Sequence, residues 1–261
     1  MKKITLMAFI FLTSCSTFQE TKTSFTPREE YYLGRSVAAT VMKGAPLVVT
    51  NFNKYINLIG QNLAKNSTRP NTYKGYFFGV IQEKKSLAIS APSGIILVSI
   101  GLIKKLKNED QLAAVLAHEI AHVASYHSQE AINRSDWSST GAKLGVAALA
   151  FMTGNDQINT AMQNYDDLIT GYSAKIIDGV YNRDQEIEAD KVAVMMLKKS
   201  GYDAKELENV IKGLNSNTKS LISNHPSDKK RLASLKSLML PKSGNGKAFR
   251  QNRYNRFFKS I

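Results

Sequence analysis

Cysteine is almost absent from this sequence of 261 residues, in which Cys15 is the only one. An intramolecular disulfide is therefore impossible, which excludes a small disulfide-stabilised scaffold. Long apolar runs are lacking as well, since no stretch reaches the roughly 20 apolar residues that a membrane-spanning helix needs. The closest internal candidate, Leu144–Met152, is much shorter and is predicted to be a buried helix. With 43% hydrophobic and 21% charged residues, the composition is that of a globular protein with one substantial core.

The single cysteine ends an N-terminal segment that has the layout of a secretory signal. A basic start and an apolar stretch precede Leu12-Thr13-Ser14-Cys15, which resembles a bacterial lipobox. We therefore predict a lipoprotein signal peptide over residues 1–14, a lipid on Cys15, and a polar tether over residues 15–26. A plain signal peptide with an incidental cysteine is the alternative. Ser16 follows, not Asp, and by resemblance to enterobacterial sorting rules this implies the outer membrane, facing the periplasm, over retention at the inner membrane.

Acidic residues are outnumbered, because 35 Lys and Arg against 21 Asp and Glu give a net charge of +14. Removal of residues 1–14 takes away two lysines and leaves 33 − 21 = +12. The excess is concentrated in residues 241–261, which contain six basic residues, no acidic residue and several aromatic residues. Since no nucleic-acid-binding motif accompanies this charge, we predict no nucleic-acid partner. The segment is predicted to be a flexible tail, with contact to an anionic membrane or a protein partner as the alternative.

Histidine is scarce too, and three of the four histidines lie in Leu112–Ser128, which reads LAAVLAHEIAHVASYHS. Asn108 can cap a helix here, and the apolar side chains at almost every position predict that this helix is buried. His118 and His122 are four residues apart, so both imidazoles can bind one cation from the same face. Glu119 lies beside that face and can hold a metal-bound water, as in the H-E-x-x-H motif of zinc peptidases. Two structural core histidines and a hydrogen-bonded glutamate are the alternative.

A catalytic zinc site normally has a third protein ligand. The position that supplies a third histidine in metzincins is Ser128 here, and His127 is interpreted as structural or as a support for a ligand. Glu186 and Asp190 are better candidates, because they lie four residues apart on a predicted helix and share a face. One carboxylate can bind the metal while the other hydrogen-bonds a ligand. Apolar residues follow at once, so the helix is predicted to be at least partly buried.

The remaining pattern predicts an α+β fold that is mainly helical, without internal repeats. Helices are predicted over residues 27–43, 51–65, 168–201, 204–214 and 227–239, strands over 73–82 and 86–99, and an irregular flap over 154–167. Pro92-Ser93-Gly94 interrupts the second strand, as is typical of a sheet edge. We therefore predict an edge strand that can pair with an extended peptide substrate, formed by Gly94, Ile95, Ile96 and Leu97. An ordinary hairpin is the alternative.

Three separated motifs resemble those of the HtpX-like zinc metallopeptidases, a family that includes the CAAX prenyl proteases. They are His118-Glu119-Ile120-Ala121-His122, then Arg183-x-x-Glu186-x-x-Ala189-Asp190, then Asn224-His225-Pro226 with Arg231. The resemblance covers roughly residues 28–238. Because membrane-spanning segments are not predicted, the chain is similar to the soluble lipoprotein branch of this family. The resemblance implies a gluzincin-like fold with a small sheet whose edge strand borders the active site.

The resemblance also implies roles for individual residues. One zinc ion per chain is bound by His118, His122 and Glu186, with Glu119 as the general base. Asp190 then supports a ligand. His225 lies over the metal, where it either stabilises the tetrahedral intermediate or closes the fourth coordination position and holds the enzyme latent. Arg231 supports the oxyanion or Glu186.

Together these features predict a zinc metallopeptidase domain over residues 27–240. Its expected function is that of a zinc-dependent endopeptidase, anchored by lipid at the bacterial outer membrane, that hydrolyses unfolded or misassembled envelope proteins. One alternative is a zinc-bound chaperone or assembly factor for outer-membrane proteins with little or gated proteolysis. Another is a lipid-anchored binding module whose motif is vestigial. Metal analysis and hydrolysis assays with and without zinc separate the three.

Overall fold

The computed structural model describes residues 25–131, 157–178, 181–213, 225, 229–238 and 246–261. The predicted signal peptide, Cys15, most of the tether and the apolar stretch Leu144–Met152 lie outside these residues. Within the described ranges, none of the helices combines the length and the apolar character that crossing a lipid bilayer requires.

Helices dominate the described part of the chain, as the sequence predicts, and a small sheet interrupts them. The helices are α1 (Pro27–Gly44), α2 (Asn51–Lys65), α3 (Ile100–Ile103), α4 (Glu109–Ala124), α5 (His127–Glu130), α6 (Gln157–Asp178), α7 (Arg183–Lys199), α8 (Lys205–Gly213), α9 (Lys229–Ser237) and α10 (Lys247–Phe258). The strands are β1 (Phe77–Ile81), β2 (Ala88–Ala91) and β3 (Ile95–Ser99).

The histidine-bearing helix α4 lies in the middle of the core, which confirms the prediction that it is buried. It begins where the Asn108 side chain accepts a hydrogen bond from the Gln111 amide over 2.8 Å. Every residue of α4 except Gln111 is buried. Helices α2, α7, α8 and α10 and strand β2 pack around it. The helix is apolar on all sides because all of its sides face protein.

The sheet has the order β1-β3-β2, with β3 parallel to β1 and antiparallel to β2. The prediction that Gly94, Ile95, Ile96 and Leu97 belong to an edge strand is therefore wrong, because β3 is hydrogen-bonded on both sides. Pro92–Gly94 instead forms a short 3-10 turn between β2 and β3. The interruption by proline and glycine thus marks the turn of a hairpin, and β2 is the strand at the edge of the sheet next to α4.

Side chains of β3 alternate between two apolar clusters, as expected for a strand covered on both faces. Ile96 and Val98 belong to the cluster formed with α2 and α4. Leu97 belongs to the cluster formed with α1 and α6. The sheet therefore lies between two helical layers, and β2 is held against α4 by this packing.

The predicted irregular flap over residues 154–167 is corrected for residues 157–167, which belong to α6. Residues 154–156 lie outside the described ranges. Helix α6 packs along α1 through the buried side chains of Ile169, Tyr172 and Ile176. The first half of this helix also has apolar residues at helical spacing, Ile158, Met162 and Tyr165, so the pattern was present in the sequence and was missed.

The basic C-terminal segment is helical over Lys247–Phe258, so the prediction of a flexible tail is wrong for residues 246–261. Arg253 forms an ion pair with the fully buried Glu109, with 2.7 Å between Nε and Oε2. Arg250 reaches Asp110 with 2.8 Å between Nε and Oδ1. Both acidic residues lie in the first turn of α4. A buried carboxylate requires a partner, and the C-terminal arginines supply it.

Candidate metal centre

Helix α4 carries His118, Glu119 and His122 at the centre of the molecule. None of the three side chains is more than 2% exposed. One helical turn separates the two histidines, and their Nε2 atoms lie 3.1 Å apart. The two imidazoles therefore present the same ring nitrogen to one point, as the spacing predicts.

The other ring nitrogen of each histidine faces another side chain of the site. Nδ1 of His118 lies 3.0 Å from Oδ1 of Asp190. Nδ1 of His122 lies 3.0 Å from Nδ1 of His127. When Nδ1 of His118 donates to the carboxylate, Nε2 keeps a lone pair directed at the centre, which is the arrangement of a metal-bound histidine. Asp190 is not among the residues whose possible ligand atoms converge, and its contact with Nδ1 fits the predicted support of His118.

Helix α7 supplies the carboxylates. The side chain of Asn182 caps this helix by accepting hydrogen bonds from the amides of Asp184 and Gln185. Glu186 follows in the first turn of the helix. Oε2 of Glu186 lies 3.4 Å from Nε2 of His118, and Oε1 lies 3.6 Å from Nε2 of His122. Ala189 is completely buried, and this small side chain lets α7 lie close against α4.

His225 completes a group of four. Its Nδ1 lies 2.6 Å from Oε1 of Glu186 and 3.2 Å from Nε2 of His118. The possible ligand atoms of His118, His122, Glu186 and His225 all lie within 4.8 Å of one another, and all four residues are buried. The neighbouring residues Asn224 and Pro226 lie outside the described ranges.

These residues fit a metal ion such as zinc. Neighbouring corners of a tetrahedron with zinc–ligand bonds of about 2.0–2.2 Å are about 3.3–3.6 Å apart. The distances of 3.1, 3.4 and 3.6 Å among His118, His122 and Glu186 lie around this value. In addition, both carboxylate oxygens of the fully buried Glu119 lack a hydrogen-bond partner within the described residues. Nε2 of His225 lies 3.3 Å from Oε1 of Glu119, but a buried carboxylate without a hydrogen bond is costly unless the site also holds a polar ligand.

Arg231 of α9 lies behind the carboxylates and is 2% exposed. Its Nη1 lies 2.7 Å from Oε2 of Glu186. Its Nε and Nη2 donate to the two oxygens of Asp190 over 2.8 and 2.7 Å. Of the two roles expected for Arg231, this geometry favours support of Glu186, because the guanidinium binds both carboxylates in a fixed orientation.

The charges of the site affect its ionisation. Burial opposes the charged form of His118, but Asp190 and Glu186 together raise its pKa to about 9. Burial and the nearby His118 hold the pKa of His122 well below its usual value. Burial would raise the pKa of Glu186, but His225 and His118 lower it well below its usual value. The carboxylate at the centre is therefore ionised, as binding of a cation requires.

Two further residues contact the ligand His122: Tyr181, to which the sequence analysis assigned no role, and His127, which it interpreted as structural or as a support for a ligand. Tyr181 stacks on His122 with ring centroids 3.9 Å apart, and its hydroxyl lies 3.4 Å from Oγ of Ser90 in β2. His127 reaches His122 because Tyr126, with φ of 62°, ends the helix and reverses the chain. Tyr181 could have been noticed in the sequence, because it is an aromatic residue directly before the helix cap Asn182. The chain reversal at Tyr126 could not be predicted, because non-glycine residues rarely adopt positive φ.

Comparison with known proteins gives one family and several distant relatives. The sequence model described as peptidase family M48 matches residues 51–239. The chain is 25% identical over 187 residues to a beta-barrel assembly-enhancing protease of Yersinia pestis, covering 71% of this chain and 37% of the relative. It is 29% identical over 156 residues to the mitochondrial metalloendopeptidase OMA1 of Arabidopsis thaliana, covering 58% and 29%. It is 28% identical over 182 residues to the metalloprotease YcaL of Escherichia coli, covering 68% and 65%. The chain thus spans less than two thirds of each of these relatives.

Proposed function

Because this chain belongs to peptidase family M48 and is a metallopeptidase, we propose that it is a zinc-dependent endopeptidase acting on unfolded or misassembled proteins of the bacterial envelope. One observation carries the proposal. His118, His122 and Glu186 come together from two helices, directly beside the buried carboxylate of Glu119. This is the constellation that metal-assisted hydrolysis of a peptide bond requires.

In the proposed mechanism, His118, His122 and Glu186 hold one zinc ion. Bound zinc supplies the Lewis acidity that lowers the pKa of water and polarises a carbonyl. Glu119 accepts the proton of the attacking water and delivers it to the leaving amine. Its carboxylate suits this task, because it is enclosed by protein and makes no hydrogen bond within the described residues. Asp190 and Arg231 keep His118 and Glu186 in place.

An extended substrate is proposed to lie beside Ser90 and Ala91 of β2, at the sheet edge next to α4. Strand addition at an edge holds a peptide through backbone hydrogen bonds and is tolerant of sequence, as a protease for unfolded proteins requires. Strand β2 packs against α4, and Ser90 of β2 lies 3.4 Å from the hydroxyl of Tyr181, which in turn stacks on His122. The edge strand and the metal ligands are thus linked through one tyrosine.

His225 is proposed to close the site in the resting enzyme. Its Nδ1 lies 2.6 Å from Oε1 of Glu186, among the converging ligand atoms, so His225 would take the position at a bound zinc that water or substrate needs. We expect His225→Ala to raise the turnover of an unfolded substrate roughly tenfold, which corresponds to a resting enzyme open about one tenth of the time. Steady-state hydrolysis of unfolded casein measures this change. A decrease in turnover with unchanged zinc content would assign His225 to the transition state and contradict latency.

The envelope as the place of action is supported by the relatives named beta-barrel assembly-enhancing proteases and by the N-terminal sequence. We propose that residues 1–14 are removed as a signal peptide, that Cys15 carries a lipid, and that the protein is held at the outer membrane facing the periplasm. The exposed basic residues Arg256 and Lys259 then provide a further contact with anionic lipid. Membrane fractionation of the wild type and of Cys15→Ser tests the anchor.

Removal of the metal tests the reaction class. We expect the zinc-loaded protein to degrade an unfolded outer-membrane protein and the chelated protein to lose this activity, because the bound water is no longer activated. Readdition of zinc is expected to restore it, which controls for irreversible unfolding. If chelated and zinc-loaded protein instead prevent aggregation of the substrate equally and neither cleaves it, the chaperone alternative holds.

A further inference from the structure

We propose that Glu30 and Arg69 form a positioning pair that holds the substrate strand and a metal ligand in their working geometry. The pair lies outside the three sequence motifs. The inference rests on the proposed catalytic site and adds to it two residues that contact neither metal nor substrate.

The pair is a bidentate ion pair between the buried Glu30 and the partly buried Arg69. Glu30 lies on α1 and is 3% exposed. Arg69 follows α2, and its Nη1 and Nη2 lie 2.9 and 2.5 Å from the two carboxylate oxygens of Glu30. Oε1 of Glu30 also accepts a hydrogen bond from the amide of Ser93 over 2.8 Å, and another from the side-chain amide of Gln129. One carboxylate thus joins α1, the Arg69 segment, the β2–β3 turn and α5.

The first backbone position held by the pair is Ser93. It has φ of 62° and ψ of 16°, a conformation that is unfavourable for a residue with a Cβ atom. Its hydroxyl lacks a hydrogen-bond partner within the described residues, so the side chain does not stabilise this conformation. The Glu30 carboxylate does so through the Ser93 amide. Helix α1 also approaches closely at Gly34, where an added Cβ atom would lie 2.0 Å from the carbonyl oxygen of Pro92.

The second position is Tyr126, with φ of 62°. The guanidinium of Arg69 lies 4.4 Å from the centre of the Tyr126 ring, and its Nη1 donates to the carbonyl of Val123 over 3.4 Å. Tyr126 is followed by His127, whose Nδ1 lies 3.0 Å from Nδ1 of His122. The left-handed conformation of Tyr126 is therefore what brings His127 to the metal ligand.

Within the described residues, Ser93 and Tyr126 are the non-glycine residues with positive φ, and the same ion pair contacts both. Ser93 lies in the turn that fixes edge strand β2, and Tyr126 fixes His127 against His122. Strain of this kind persists when surrounding contacts enforce it, and it is concentrated at functional sites. The pair therefore sets the substrate strand and the orientation of His122 together.

The test is Glu30→Gln, which keeps the shape of the side chain and removes its charge. We expect KM for unfolded casein to rise and zinc affinity to fall, each by about tenfold, the lower end of what loss of a supporting contact around a metal ligand causes. Zinc affinity is measured by chelator competition and KM by steady-state hydrolysis, both below the unfolding temperature. Leu63→Ala, which destabilises the core beside α2 without touching the pair, is the control for general loss of stability. Equal changes in KM and zinc affinity in both variants would overturn the inference.

A second substitution separates positioning from stability. Glycine adopts positive φ without cost, so Ser93→Gly in the Glu30→Gln background is expected to restore KM and to leave zinc affinity low. If Ser93→Gly restores neither KM nor zinc affinity, or restores both, the pair does not act separately at the two strained positions. If Glu119→Gln loses hydrolysis but Glu30→Gln keeps wild-type KM and zinc affinity, the positioning role of the pair is refuted and the proposed function stands. If the zinc-loaded wild type fails to hydrolyse any unfolded protein, the proposed function is what fails.

Discussion

Replacement of Glu119 by glutamine is expected to lower turnover of an unfolded protein by roughly 100- to 10,000-fold, the usual contribution of a general acid–base residue. Glutamine has nearly the same shape but cannot accept the proton of the attacking water. Glu119 is not one of the four residues whose ligand atoms converge, so zinc is expected to stay bound. Turnover at saturating substrate and metal content of the same preparation are the two measurements.

The matched control for this substitution is Glu130→Gln, which changes the same functional group at an exposed position shortly after the metal helix. Wild-type turnover is expected for the control. Retention of full turnover by Glu119→Gln, with zinc present in stoichiometric amount, would show that another group accepts the proton. Loss of zinc along with turnover would instead show that Glu119 stabilises the metal site.

The parts of the site that lie on single helices could be predicted from the sequence. The four-residue spacing of His118 and His122 determines a common face in any α-helix, and the same holds for Glu186 and Asp190. Burial of α4 followed from its apolar composition on all sides. The packing of α7 against α4 is a tertiary contact that helical spacing does not determine. It was expected only because three motifs in the same order resemble those of a known family.

The features that the sequence could not supply depend on contacts between distant residues. Strand β3 takes its central place by pairing with β1 in parallel, which no local pattern specifies. Helix α10 contains many basic residues, and its order depends on Glu109, which is 144 residues away from Arg253 in the chain. The composition of that segment predicts a flexible tail, because its buried acidic partners lie in a distant part of the sequence.

Replacement of Arg231 is expected to cause a large loss of stability, because its guanidinium is the partner of two buried carboxylates. Arg231→Met is expected to lower the free energy of unfolding of the metal-free protein by about 3–5 kcal/mol, the cost of leaving buried charge unpaired. Both Glu186 and Asp190 are completely buried and lose their cation. The loss is expected to be smaller in the zinc-loaded protein, since the metal then compensates the charge of Glu186.

Urea unfolding of the wild type and of Arg231→Met, with and without zinc, measures this difference. Arg256→Met is the control, because Arg256 is an exposed arginine in α10. The comparison also separates the two roles expected for Arg231. A residue that only stabilises the oxyanion would lower turnover while leaving stability and zinc affinity unchanged. A residue that positions Glu186 must weaken zinc binding as well, because the carboxylate that binds the metal is the one that the guanidinium holds, with 2.7 Å between Nη1 and Oε2. Unchanged stability in Arg231→Met would therefore contradict the positioning role.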